Sequence, residues 1–332
     1  MAVGPLKTVP IFKETVWGGD RLRAVCGKKL PDGMKVGESW ELSVRGRDTN
    51  RIATGRHAGR RLDEIFAEAP EECFGERIDP SQRFPLLVKF LDARERLSIQ
   101  VHPDDRQAML FGSGDSGKWE AWVILEADEG ARLYRGLREG TTRRDFQAAL
   151  EAGHPQDCLW QVEATAGDVI DLPPGTPHAI GGGFVLAEIQ QNSDLTYRVY
   201  DWGRVGLDGQ PRELHLEQAL EVLDFSASGT GLVRPDSSPE SGFSRESLIS
   251  SPFFGIERLR LTESTDWPEA LGTFEVLMVI AGEGRLSQSH DEMALGLGDT
   301  VFLPADRDGL RLDVQRPMTL LRAFPVYQES NR

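Results

Sequence analysis

Six histidines occur in the sequence, His57, His102, His154, His178, His215 and His290, and two of them stand where chemistry is expected. His102 ends the β-rich run Leu97-Ser98-Ile99-Gln100-Val101-His102. Side chains alternate along a strand, so Ser98, Gln100 and His102 project from one face. His178 closes the turn-rich segment GDVIDLPPGTPH, residues 167–178. Imidazole nitrogens suit a transition metal, and a carboxylate adds hardness and charge. From spacing alone, metal ligation and an ordinary hydrogen-bonded core role are both open for these two histidines. Arg198 offers a second chemistry. In DLTYRVY it shares a strand face with Thr196 and Tyr200, where a guanidinium can hold an anion or form a rim salt bridge with Asp194. Lys89 is the one charge in the apolar run PLLVKFL. Its burial would be costly without a partner, which favours a paired or functional role.

Short strands must position these residues. PLLVKFLDA, LSIQVH, EAWVILEA, GDVIDLP, FVLAEIQQ, TYRVYDW, FEVLMVIAG, RLSQS and DTVFLPA are β-rich runs punctuated by Gly, Pro and Asp. Helical patterns are few. Arg61 to Glu68 carries Leu62, Ile65 and Phe66 on one face. Asp104 caps a segment running to Phe111, Thr141 or Thr142 opens one ending at Gly153, and Leu216, Ala219, Leu220 and Leu223 mark a fourth. The expected fold is mainly β. SASGTGLVRPDSSPESG reads as a linker or surface loop near residues 225–245. On either side of it, Gly167-Asp168-Val169-Ile170-Asp171-Leu172-Pro173 echoes Gly298-Asp299-Thr300-Val301-Phe302-Leu303-Pro304. The echo suggests two copies of one β-barrel module.

Composition narrows the function. Among 332 residues, 53 Asp and Glu against 38 Lys and Arg give a net charge of -15, which argues against a nucleic-acid partner. A small anionic substrate stays possible, because a few local cations suffice to hold a phosphate. No run approaches the roughly 20 apolar residues of a membrane span. The start, MAVGPLKTVPIFKE, lacks the apolar core of a signal peptide. Three scattered cysteines, Cys26, Cys73 and Cys158, predict no disulfide framework and a reducing, cytoplasmic compartment.

The segment from Gly167 to His178 resembles the second metal-binding motif of the cupin superfamily: Gly167, Pro173, Gly175 and His178 at the motif's spacings. The first cupin motif carries His-x-His and then a glutamate on the following strand. Here Gln100-Val101-His102 stands at the former, and Glu120, at the head of EAWVILEA, at the latter. More specifically, VPIFKETVWGGDRL, VGESWELS, FPLLVKFLDARERLSIQVHPDD, GKWEAWVIL, PPGTPHAIGGG and EIQQNSDLTYRVYDWGR resemble type I mannose-6-phosphate isomerases of the short prokaryotic form. The likeness runs in order from about residue 9 to residue 225, and LSIQVHPDD and QQNSDLTYRVYDW are its most specific parts.

The resemblance implies two cupin-type jelly-roll barrels with a few short peripheral helices. A catalytic domain over residues 1–235 would precede a degenerate domain over 236–332. It also implies one Zn2+ per chain, held by Gln100, His102, Glu120 and His178. Two neutral imidazoles, a neutral amide and one carboxylate leave a divalent ion with a formal +1, enough to polarise a sugar oxygen or water. The reaction implied is interconversion of mannose 6-phosphate and fructose 6-phosphate through an enediol. Lys118 would act as base or proton shuttle. Arg198 would stabilise the enediolate, with Asp194 as its partner or a further proton-transfer group. Ser98, Lys89 and Glu41 would lie near the phosphorylated sugar. The second copy reads Asp306 where the motif has glycine and Gly309 where it has histidine, so no ion is expected there. His57, His154, His215 and His290 are expected to be structural or exposed, and the chain to be a monomer or homodimer. Two other readings are an iron-dependent cupin dioxygenase, which also uses two His and a carboxylate, and a non-catalytic sugar-binding cupin. Gln100, Lys118 and Arg198 together favour the isomerase.

Overall fold

Runs of β-branched and aromatic residues between Gly, Pro and Asp turns produce a mainly β chain of three antiparallel sheets. The computed structural model describes residues 3–76, 78, 83–226, 229–240, 243–267, 271–289 and 291–326. His290 lies outside them. A seven-stranded and a five-stranded sheet face each other as a first, jelly-roll-like module. The seven-stranded sheet contains, side by side, strands Val169–Leu172, Glu120–Ala127, Phe184–Gln191, Leu86–Ala93 and Val36–Leu42. The five-stranded sheet runs Tyr197–Tyr200, Ile99–Val101, His178–Ala179, Arg132–Leu137 and Leu159–Glu163. A ten-stranded sheet forms the second module around its own core of Leu259, Leu277, Val279, Val301, Leu303 and Leu320.

Leu86–Ala93 and Phe184–Gln191 are buried along their whole length, because both faces are covered. Leu91, Ala93, Phe184 and Leu186 point between the two sheets of the first module. Leu86, Val88, Phe90, Val185, Ala187 and Ile189 point the other way, into a core shared with the second module. That shared core stacks Phe84 on Phe274 and Phe274 on Phe302, with ring centroids 5.0 and 5.2 Å apart. The chain start also crosses over. Strand Leu6–Val9 pairs with Thr300–Leu303, setting Leu6 opposite Phe302.

The expected helices form at Leu62–Glu68, Asp105–Leu110, Arg143–Glu151 and Leu216–Val222. Asp104 and Thr142 each accept a hydrogen bond from the backbone N–H three residues on, as N-caps do. The expected linker is a different object. Asp236–Glu240 and Phe243–Ser250 are paired strands at the edge of the ten-stranded sheet, so this part of the stretch is an edge hairpin and not a free connection. Strand Arg311–Pro325, the longest at 15 residues, has no counterpart in the expected runs. Its first half alternates polar Arg311, Asp313 and Gln315 with apolar Leu312 and Val314, a strand pattern the expected runs left out.

Candidate metal centre

The five-stranded sheet aligns four polar residues in one row. Arg198 lies opposite Gln100, Gln100 opposite His178, and His178 opposite Arg135. Residues directly opposite share a face, so the row projects one way. His102 follows one residue past its strand, on the same face as Gln100. Glu120 heads its strand in the facing sheet and points inward with Trp122 and Ile124. The side chains converge between the sheets. His178 Nε2 lies 3.0 Å from Glu120 Oε1, and His102 Nε2 lies 3.5 Å from Oε2. Gln100 Nε2 is 3.3 Å from His178 Nε2, and a half-turn of that amide presents its oxygen instead. The ligand atoms of His102, Glu120 and His178 all lie within 4.8 Å of one another.

The outer contacts fix which atoms face inward. His102 Nδ1 lies 2.8 Å from the Leu195 carbonyl, and His178 Nδ1 lies 2.9 Å from the Thr176 carbonyl. A carbonyl can only accept, so Nδ1 carries the proton, and in the neutral tautomer Nε2 presents its lone pair inward. Burial, with the nearby Lys118 charge, pushes His102 down to about 4, so its ring is neutral near pH 7. Burial opposes charge on Glu120. The Lys118 ammonium outweighs it and holds the carboxyl well below its usual range. His102 Nε2 and both Glu120 oxygens are buried and receive no hydrogen bond. Lys118 Nζ does stand 2.7 Å from Glu120 Oε2, an ionic contact whose angle is not that of a directed hydrogen bond. Buried acceptors crowded together without donors form a cradle for a cation. Gln100, His102, Glu120 and His178 therefore fit the metal that the sequence suggests.

The other expected residues divide. Lys118 is buried and joins the cluster through Glu120. Ser98 is buried two residues before Gln100. Lys89 is buried on the inward face, 3.0 Å from Glu188 Oε1 and 3.4 Å from Glu38 Oε2. Arg198 is half-buried, donates from Nη1 to the Glu213 carbonyl at 2.7 Å, and leaves Nε unpartnered. Asp194 is not its partner. It is exposed in a cleft of about 390 Å³ lined also by Trp40, Arg45 and Arg83. Glu41 is not brought to the cluster at all. It points to the seam between modules, where Lys28 and Ser39 bind its carboxylate, each at 2.6 Å.

Three residues join the site without having been expected. Glu38 and Trp40 share the inward face that Glu41 leaves, and Lys89 Nζ sits 5.3 Å from the Trp40 ring centroid. Glu188 lies directly opposite both Lys89 and Trp122 and accepts the Trp122 indole N–H at 3.0 Å. Trp122 packs edge-on to His178, with centroids 5.4 Å apart. A signal existed for Glu188: it is the one charge in FVLAEIQQ, opposite in sign to the one charge in PLLVKFL. His57, His154 and His215 lie away from the cluster, and His215 Nδ1 accepts the Arg198 backbone N–H.

Comparison with known proteins agrees with this geometry. Residues 6–121 match the sequence profile of the phosphomannose isomerase type I catalytic domain. A mannose-6-phosphate isomerase of Streptococcus mutans is 37% identical over 300 residues, 89% of this chain and 92% of the relative. A probable mannose-6-phosphate isomerase of Bacillus subtilis is 35% identical over 301 residues, 91% and 93% of the two chains. The crystal structure of the mannose 6-phosphate isomerase from Bacillus subtilis aligns with a TM-score of 0.89 at 30% identity, covering 97% of this chain and 99% of that one. The structure of a putative mannosephosphate isomerase from Archaeoglobus fulgidus, at 22% identity and TM-score 0.77 over 97% of this chain and 98% of that one, shares the fold. These relatives favour the isomerase over the oxygenase and the binding module, and with them the chain belongs to the type I phosphomannose isomerase family, as an isomerase whose family depends on metal.

Proposed function

We propose that the chain interconverts mannose 6-phosphate and fructose 6-phosphate, with one zinc ion held by Gln100, His102, Glu120 and His178. The observation that carries the proposal is the convergence of buried acceptors, His102 Nε2 and both Glu120 oxygens, which receive no directed hydrogen bond and meet one cation, Lys118 at 2.7 Å from Oε2. When bound, the ion supplies Lewis acidity toward the sugar's carbonyl and hydroxyl oxygens.

The chain's own groups do the rest. Aldose–ketose isomerisation moves a proton between C2 and C1 and transiently places negative charge on oxygen. Lys118 is the group we assign to proton transfer. Its Nζ stands 2.7 Å from Glu120 Oε2, next to the four residues assigned to the ion. Arg198 is assigned to the developing oxyanion. Its guanidinium keeps an unpartnered Nε in the same row as Gln100 and His178. Lys89 carries the positive charge of the inward wall, and Ser98 stands beside Gln100, so both remain our candidates for binding the phosphorylated sugar. The cleft bearing Trp40, Arg45, Arg83 and Asp194 is the entrance we assign to that sugar.

We further propose a catalytic unit over residues 1–235 and a metal-free cupin scaffold over 236–332. The cellular site proposed is the cytoplasm, and the assembly a monomer or homodimer. In support, Cys26, Cys73 and Cys158 are free thiols, and no helix among the described residues is long and apolar enough to cross a membrane. The test is a coupled assay of mannose 6-phosphate to fructose 6-phosphate after chelation, then with zinc restored. Activity should vanish and return. Undiminished turnover by fully metal-depleted protein would overturn the reading. Turnover in deuterated water should label the sugar at C1 or C2 if an exchanging base carries the proton.

A further inference from the structure

The two Gly-Asp segments open a residue-by-residue correspondence between the modules. In the first, the Gly167 N–H donates to the Ile124 carbonyl at 2.8 Å, and the Ile124 N–H to the Asp168 carbonyl at 2.9 Å. In the second, the Gly298 N–H donates to the Val279 carbonyl at 2.8 Å, and the Val279 N–H to the Asp299 carbonyl at 2.9 Å. Ile124 and Val279 are therefore equivalent. The ladders extend the equivalence. Glu120 lies opposite Leu172, and Glu275 opposite Leu303, each leucine in the sixth place of its segment. Trp122 lies opposite Glu188, and Leu277 opposite Arg322. Glu188 lies opposite Lys89, and Arg322 opposite Glu257. Three registers thus put Glu275 in the place of Glu120, Arg322 in that of Glu188, and Glu257 in that of Lys89.

The chemistry at these matched places is inverted. The first module's Lys89–Glu188 pair becomes a Glu257–Arg322 pair at 2.9 Å, with the signs exchanged between strands. Glu120 meets one cation, Lys118 at 2.7 Å from Oε2, and otherwise faces imidazole nitrogens. Glu275, fully buried like Glu120, is instead saturated with donors. Arg322 binds it through Nε at 2.7 Å to one oxygen and Nη2 at 2.6 Å to the other. Arg307 Nη2 donates to Oε1, and the Trp267 indole N–H donates to Oε2 at 3.1 Å. Arg307 Nη1 is in turn held by the carbonyls of Thr273 and Pro304. Both arginines are buried, and the two cations balance Glu275 and Glu257.

We propose that Arg307 and Arg322 occupy the second module's internal cation site, the position that the first module keeps for a metal. The carboxylate at the head of the strand is retained, and its counter-charge is supplied by guanidinium groups of the chain. The second barrel is thereby closed without an ion and is indifferent to chelation. The proposal does not depend on which sugar the first module converts.

The test is chemical rescue in the full chain. Arg307→Ala leaves a guanidinium-shaped space beside a buried carboxylate, and Tm should fall by about 4–7 °C. Low-millimolar guanidinium, too dilute to denature, should restore much of that loss. It should do nothing for the native chain or for Arg307→Ala with Glu275→Gln. No rescue, or equal rescue without the carboxylate, would overturn the site. Should Arg307→Ala not fold, Arg307→Lys and Arg307→Met decide the matter. Lys should be clearly the more stable, and a Met variant as stable as Lys would show that no cation is needed there.

Discussion

Replacing Lys89 by methionine keeps the length and apolar character of the side chain and removes its charge. Lys89 is 4% exposed and stands between Glu188 and Glu38, 3.0 and 3.4 Å away. Burial opposes its charge, but Glu188 and then Glu38 outweigh that and hold the ammonium above the ordinary lysine range. A lysine whose folded-state pKa is raised contributes stability that is fully present below its unfolded pKa. The contribution fades only as pH rises through the higher folded value. The effect of Lys89→Met should therefore be flat from mildly acidic to mildly alkaline pH. Breaking a buried pair by removing one partner costs about 3–5 kcal/mol, because the other charge stays buried. With an unfolding entropy of roughly 2.1 cal/mol/K per residue over 332 residues, Tm should fall by about 4–7 °C.

The assay is thermal unfolding of four chains: native, Lys89→Met, Glu188→Gln and the double variant. Replacing both charges removes the orphan, so the double variant should recover about 2 kcal/mol or more of the summed single losses. Glu188 also holds Trp122, which packs on His178, so metal retention should weaken in Glu188→Gln and much less in Lys89→Met. A single Lys89→Met loss below about 1 °C would refute the reasoning, as would strict additivity in the double variant.

Metal analysis should find one tightly held ion per chain; two would overturn the view of the second barrel as metal-free. His102→Ala and His178→Ala should each abolish metal retention and turnover, and a His102→Ala chain with full zinc and full activity would show the ligand set to be wrong. Arg198→Ala should keep its metal while kcat falls on the order of 100-fold or more, because an oxyanion contact strengthens in the transition state. Lys118→Met should behave likewise, read from turnover at constant metal content, and near-normal kcat in both variants would remove their assigned roles. Glu41→Gln should lower Tm without changing KM, since Glu41 serves the Lys28 contact at the seam and not the cleft; a raised KM with unchanged Tm would contradict its position.

The convergence of His102, Glu120 and His178 was legible through a family resemblance whose motifs are short-range. The Gln100-Val101-His102 parity follows from strand alternation alone, and the glycines and prolines before His178 fix a turn whose spacing is specific. The buried ion pair was half legible. Lys89 stood out as a lone charge in an apolar run, but its partner lies on a strand about a hundred residues later, and pairing across that distance is set by sheet order. Glu41 shows the opposite failure. In GESWELS both Glu38 and Glu41 are plausible, and a one-residue parity decides which faces the cleft. Strand Val36–Leu42 is buried or half-buried at every position and mixes polar with apolar residues on both faces, so no alternation reveals that parity.

The second module adds a reason why sequence reading stopped early there. Judged by missing ligands, Asp306 and Gly309 in place of glycine and histidine, it reads as a barrel that has lost a site. Judged by ladder register, it retains the carboxylate and has changed the cation. Both barrels face one electrostatic problem, a carboxylate buried at the head of a strand between packed sheets. A buried carboxylate is tolerable only when paired and hydrogen-bonded. In the first barrel Lys118 supplies part of the compensation and the imidazoles turn lone pairs inward, which leaves room for an ion that can exchange ligands with a sugar. In the second, two guanidiniums and an indole fill every acceptor position, which leaves nothing for a substrate to displace. At these matched registers the two modules thus differ in how the charge of one buried glutamate is met.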